Sequence, residues 1–112
     1  MSKENDNIYG IQANIDELIA YQPGAVVSRT LINKKAGTVT LFSFDEGQSL
    51  SEHTAPFDAL VHILDGEAEI IIGGELNQLT SGDVIIMPGG IPHAVKANKK
   101  FKMMLVMVKQ AN

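Results

Sequence analysis

Gly82-Asp83-Val84-Ile85-Ile86-Met87-Pro88-Gly89-Gly90-Ile91-Pro92-His93 is the stretch that decides the fold. Val84 to Met87 is a short, continuous apolar run, the pattern of a strand covered on both faces. Gly82-Asp83 opens it with a turn signal. Pro88-Gly89-Gly90 closes it, because proline has no N–H to give a ladder and the glycines accept corner geometry. The corner delivers one histidine, His93. Upstream, Gly47 is followed six residues later by His53. Two strand-and-corner units, each presenting a histidine, predict a small β-barrel with a site inside it.

The flanking sequence supports an all-β reading. Val26 to Ile32 and Thr38 to Phe44 are strands joined by a Lys34-Lys35-Ala36-Gly37 turn. Asp58 to Leu64 is a strand that Asp65-Gly66 ends as a hairpin turn. Glu67 to Ile72 alternates, with Glu67 and Glu69 on one face and Ala68, Ile70 and Ile72 on the other. Glu75 to Leu79 is short, and Phe101 to Val108 is apolar on both parities. Many short strands with frequent turn signals indicate a sandwich or barrel. Before them, Asn14-Ile15-Asp16-Glu17 predicts a short N-terminal helix capped by Asn14, with Gln22-Pro23-Gly24 ending it. Residues 1–7 are a polar, flexible leader, and residues 1–112 are expected to form a single domain.

Composition limits the partners. The net charge of −4 argues against a general nucleic-acid role. The one dense basic cluster, Lys99, Lys100 and Lys102, is expected to be a solvated turn and strand edge. There is no cysteine, so no disulfide and no thiolate ligand or nucleophile. No apolar run approaches the ~20 residues a spanning helix needs, and no signal peptide is read, so a cytoplasmic location without membrane partners is expected.

Gly47-x5-His53 and Gly66, with Gly82-x5-Pro88-x-Gly90-x2-His93, resemble the two motifs of the small single-domain bacterial cupins, RmlC-like jelly rolls. The likeness covers about half the chain, from Ser43 to Ala97. It implies a cupin-type jelly-roll β-barrel and, in the complete motif, metal ligands. The first motif is degenerate. Ala55 stands where the resemblance implies a second histidine, and Ala59 where it implies a glutamate. Ala97 replaces the closing asparagine of the second motif. Of four ligands implied by the family, His53 and His93 remain.

Two imidazoles fall one donor short of the three protein ligands usual in such sites. A carboxylate from Glu52 or Asp58 would complete a two-histidine-one-carboxylate set. Two outcomes stay open. One is a weakly held divalent transition metal (Zn, Ni, Mn or Fe) on His53 and His93. The other is a metal-free pocket with two hydrogen-bonding imidazoles. By the family's geometry the alanines face inward, which enlarges the pocket and makes it apolar. Met87, Met103, Met104 and Met107 are adaptable lining for it. The expected pocket is His53, Ala55, Ala59, Met87 and His93.

The first functional expectation is therefore a small-molecule-binding cupin, holding an organic ligand between His53 and His93. The alternative is a metal-dependent cupin enzyme (oxygenase, isomerase or lyase) with an incomplete protein ligand set. In the metal-free case the two histidines are the candidate catalytic acid and base. His62 is different. By alternation from Ala59 it points away from the site, to the side of Leu60 and Leu64, as a structural or interface histidine. Leu60, Leu64, Met104 and Val106 exceed what one small barrel absorbs, and an exposed patch of that kind predicts a homodimer. The N-terminal helix covering the patch within one chain is the competing arrangement.

Overall fold

The structure, a computed structural model, describes residues 7–109. All but Asn7 of the expected leader lies outside the described residues. The strands are β1 (Val26–Lys34), β2 (Gly37–Phe44), β3 (Ser49–His53), β4 (Asp58–Ile72), β5 (Glu75–Thr80), β6 (Val84–Met87), β7 (His93–Lys96) and β8 (Phe101–Val108). They form one curled, antiparallel sheet along the path β1-β2-β8-β4-β7-β3, with β5 and β6 added on β4. The curl gives two walls. One runs β1-β2-β8-β4-β6 and the other β3-β7-β4-β5. This is an all-β jelly roll.

Two strands, β3 and β7, are not marked by the sequence pattern. Ser49–His53 is mostly polar, and His93–Lys96 has only four residues, so neither carries a strong period-two pattern.

Asp65-Gly66 is not the expected hairpin turn. The chain runs through it as β4, fifteen residues long, and belongs to both walls. The register with β8 slips between Ile63 and Asp65, which marks a bulge rather than a reversal. Pairing continues at Gly66 opposite Phe101. Gly66 has φ +79°, and a Cβ there would lie 2.1 Å from the Lys100 carbonyl oxygen. The positive φ that a hairpin glycine supplies is present, but against β8 it bends a strand rather than reversing it.

Alternation along β4 sets the core. Ala59, Val61 and Ile63 are buried, and so are Phe44, Phe101 and Met103 on the same side of the neighbouring strands. The Phe44 and Phe101 rings stack at 4.6 Å between centroids and 9° between planes. Burying a side chain of this size stabilises by about 1.5–3 kcal/mol.

The described residues cover the outward side of this wall at one end only. The expected N-terminal helix is reduced to one 3-10 turn, Ile15–Glu17, capped by the Asn14 side chain, which accepts from the Asp16 N–H at 2.9 Å. The helix stops because the sheet takes its carbonyls. Arg29 donates to Leu18 O, buried Ser43 donates to Ala20 O, and Lys102 donates to Asp16 O, all at 2.9–3.0 Å. Ile19 is buried in this layer. Tyr21 OH donates to Asp65 Oδ2, and the Lys100 and Lys102 ammonium groups lie 4.8 and 5.2 Å from the Tyr21 ring centroid. Two of the three clustered lysines thus pack on an aromatic face. Burial and the Asp65 carboxylate raise the Tyr21 hydroxyl pKa well above its ordinary value.

At the other end β6 departs from expectation. Ile85 and Met87 face inward, but Val84 and Ile86 are each 58% exposed. Among the described residues the apolar run is covered on one face, because the N-terminal segment from Asn7 onward does not reach this edge strand. No helix among the described residues is long and apolar enough to cross a membrane.

Candidate functional site

The site is built by two corners that grip each other. The β6–β7 corner contains Pro88, Gly89 and Gly90; the β3–β4 corner contains Ala55, Pro56 and Phe57. Gly90 N–H donates to Ala55 O at 2.8 Å, and Gly89 N–H donates to the Asp58 carboxylate at 2.8 Å. A Cβ on Gly89 would lie 2.7 Å from the Pro56 carbonyl oxygen, so only glycine permits this approach. The far side of the corner is fixed by Gly73 N–H donating to Pro92 O at 2.8 Å.

His53 leaves one corner and His93 the other, and they are cross-strand partners of β3 and β7. Their Nε2 atoms are 3.2 Å apart, with the rings edge to face at 69°. His93 is 6% exposed and sits between His53 and Ile72, while His53 is exposed at the sheet edge. The His53 Nδ1 lies 3.0 Å from Ser51 O, and the His93 Nδ1 3.4 Å from Ile91 O. A carbonyl oxygen only accepts, so the shorter contact fixes the His53 proton on Nδ1 and leaves its Nε2 as an acceptor. His93 then donates its Nε2–H to His53. Burial, and secondarily the neighbouring His53, lower the His93 pKa below the ordinary histidine value.

Of the other expected site residues, Ala59 is buried on the inward side of β4, flanked by Met87 on β6 and Met107 on β8. Met87 and Met103 are buried in the core, and Met107 is half-buried. Met104 lies on the opposite, outward side, opposite His62 and Leu41. Ala55 is half-buried, and its carbonyl holds the clasp. Glu52 is exposed beside His53, at a break in the β3–β7 register. The Asp58 carboxylate is engaged with Gly89 N–H. No group of three His, Cys, Asp or Glu side chains placed to hold a metal ion is found among the described residues. Sequence reading missed the clasp because Asp58 and Gly89 are distant in sequence and neither belongs to a pattern that announces their contact.

Two walls joined by a shared strand, with a histidine brought by each glycine corner to one end, define a jelly-roll barrel of the RmlC-like kind. The chain belongs to the cupin family: the cupin-domain family matches residues 40–109. A conserved Streptococcus pyogenes protein of unknown function is similar at 39% identity, over 90% of this chain and 89% of that one, with a TM-score of 0.86. A cupin 2 conserved barrel domain protein from Leptotrichia buccalis is 41% identical over 87% of this chain, with a TM-score of 0.84. This chain spans 47% of that one, about half its length. A cupin superfamily protein from Desulfitobacterium hafniense is 32% identical, over 84% of this chain and 86% of that one, with a TM-score of 0.81. No functionally curated protein matches the chain.

Proposed function

We propose that this cupin is a binding module for a small, largely apolar organic molecule, whose polar group is met by His53 and His93. The observation that carries this reading is the 3.2 Å Nε2–Nε2 pair, one ring exposed and its partner buried. A tautomer shift in His93, from Nε2–H to Nδ1–H, turns the pair from donor and acceptor into two acceptors aimed at one point. Its Nδ1 already faces Ile91 O, so the shift exchanges one hydrogen bond for another. Apolar Ile72 is the cross-strand neighbour of His93, and Ala59 and Met87 are buried partners on the other wall. A few polar atoms in apolar surroundings are the usual form of a small-molecule site.

A second reading, the metal-dependent enzyme, also has a specific observation in its favour. Two nitrogens 3.2 Å apart fit two bonds of about 2.1 Å to one ion at an angle near ~100°. The donor set is short, since Ala55 and Ala59 stand where the family has ligands. His53 and His93 alone would hold such an ion, with water or a ligand group filling its other positions, and the ion would supply Lewis-acid chemistry. Weak, substoichiometric metal is the expectation for two donors.

The test uses untagged protein. Elemental analysis before and after chelator dialysis should find metal that is substoichiometric and removable. A thermal-shift screen of small organic acids, phenols and sugars should yield a stabilising ligand. His53→Ala and His93→Ala should each weaken that ligand by about 1–3 kcal/mol. One divalent ion per chain that resists the chelator would overturn the binding-module reading and favour the enzyme.

We also propose that the chain forms a homodimer through the outward side of β6, β4 and β8. Val84, Ile86 and Val108 are each 58% exposed there, around a groove of about 410 Å³ lined by Leu60, Ile86 and Val106 among others. Protruding side chains beside a groove on one face suit a two-fold, self-complementary contact. The Leptotrichia relative, about twice as long, has the length for a second unit of this size. Sedimentation at micromolar concentration should give the mass of two chains; the mass of one would reject the dimer.

A further inference from the structure

His62 lies in the middle of that outward surface and plays no part in the site. Its cross-strand partners are Val84 on β6 and Met104 on β8, and Leu60, two residues along β4, pairs with Ile86 and Val106. The imidazole is half-buried. It has no hydrogen bond or ion pair among the described residues. The row continues from Met104 to Leu41 and then Arg29 on β1. Charged groups on this side stand off at the ends. Asp65 and Lys102 pair with each other toward the Tyr21 end, where Asp65 accepts from Tyr21 and Lys102 holds Asp16 O. Asp58 stands at the other end, bonded to Gly89. On the β6 side, the Asp83 carboxylate is turned back to Thr80 N–H. Among the described residues no carboxylate is therefore engaged with the His62 ring.

We propose that His62 makes self-association on this face proton-sensitive, so that the neutral imidazole permits the dimer and the imidazolium opposes it. The proposal rests on the homodimer reading above. The reasoning is a desolvation argument. Covering Val84, Ile86 and Val106 with a second copy removes water from the ring between them. A neutral imidazole bears that at modest cost, but a cation without a paired carboxylate does not. Histidine is the side chain whose charge changes in the range where cells vary their pH. A contact that admits only the neutral ring weakens as pH falls, and because each copy brings one ring the two losses multiply.

The experiment is sedimentation equilibrium of the full chain at pH 8.0 and pH 5.5, with circular dichroism at both values to establish that it stays folded. The expected result is a dimer at pH 8.0 and a dissociation constant larger by at least about tenfold at pH 5.5. His62→Gln, which keeps a neutral polar side chain, should hold the pH 8.0 dimer and lose nearly all of the pH effect. His62→Leu should bind at least as tightly as the native chain at both pH values. A monomer at pH 8.0 would remove the dimer reading and this proposal with it. A dimer of equal strength at both pH values would overturn this proposal alone. So would a His62→Gln chain that weakens at pH 5.5 as much as the native one.

Discussion

The two histidine corners do similar jobs and are held in very different ways. His93 follows a corner whose sequence is dictated by contact: Gly89 touches Pro56, Gly90 bonds Ala55, and the imidazole is buried between two strands. His53 ends an edge strand paired only with β7, and its ring is exposed. Its upstream glycine, Gly47, has φ +88° but an added Cβ would meet nothing within 4 Å. The second corner is therefore a packed structural element that also presents a nitrogen. The first is tied at Gly47 to Ala97 O and beyond His53 by the same clasp, but it presents its ring from an edge strand with one neighbour.

Substitutions should widen or collapse that contrast. The largest effect is expected for Gly89→Ala, whose Cβ would overlap the Pro56 backbone. It should cost about 3 kcal/mol or more in urea denaturation, whereas Gly47→Ala should cost only the positive-φ penalty, about 1 kcal/mol. Equal losses would mean that the corners are equally packed. Next, His93→Ala removes a buried ring and should cost about 2 kcal/mol. His53→Ala, at the exposed edge, should stay within about 0.5 kcal/mol in the same measurement. Asp58→Ala removes the acceptor of Gly89 N–H and should cost about 1–2 kcal/mol.

The smallest effect is that of pH on the metal-free protein. The folded-state pKa of His93 lies below its ordinary value, so the unfolded chain binds the proton more readily. The stability it contributes is complete above pH ~6.5 and is lost as pH falls through the folded value. His93→Gln should flatten the fall in midpoint between pH 7 and pH 5. A slope that persists unchanged would assign it to other groups.

The same contrast explains what the sequence made legible. Pro88-x-Gly90-x2-His93 could be read because close packing leaves each position few alternatives. His53 could be paired with it only through the family resemblance, since nothing in Ser49–His53 marks a strand. Asp65-Gly66 has the composition of a turn, and whether a positive-φ glycine reverses a strand or bends it depends on β8, far along the chain. The Asn14 cap was legible, but the helix it opens ends after one turn because Arg29, Ser43 and Lys102 supply other donors to its carbonyls. The apolar run of β6 showed its composition and not its exposure. Coverage depends on how far the N-terminal segment reaches, which no local pattern encodes.

One feature of the barrel bears on how it comes apart. β4 is an interior strand of both walls, pairing with β8 and β6 along its first half and with β5 and β7 along its second. Neither wall can lose it without the other losing an interior strand, so the walls should unfold together in one cooperative step. Amide protons around Val61, Ile63, Ala68 and Ile70 should exchange at a common, slowest rate set by global opening. Those of Ser49–His53 should exchange far sooner, through local release of a strand with a single neighbour.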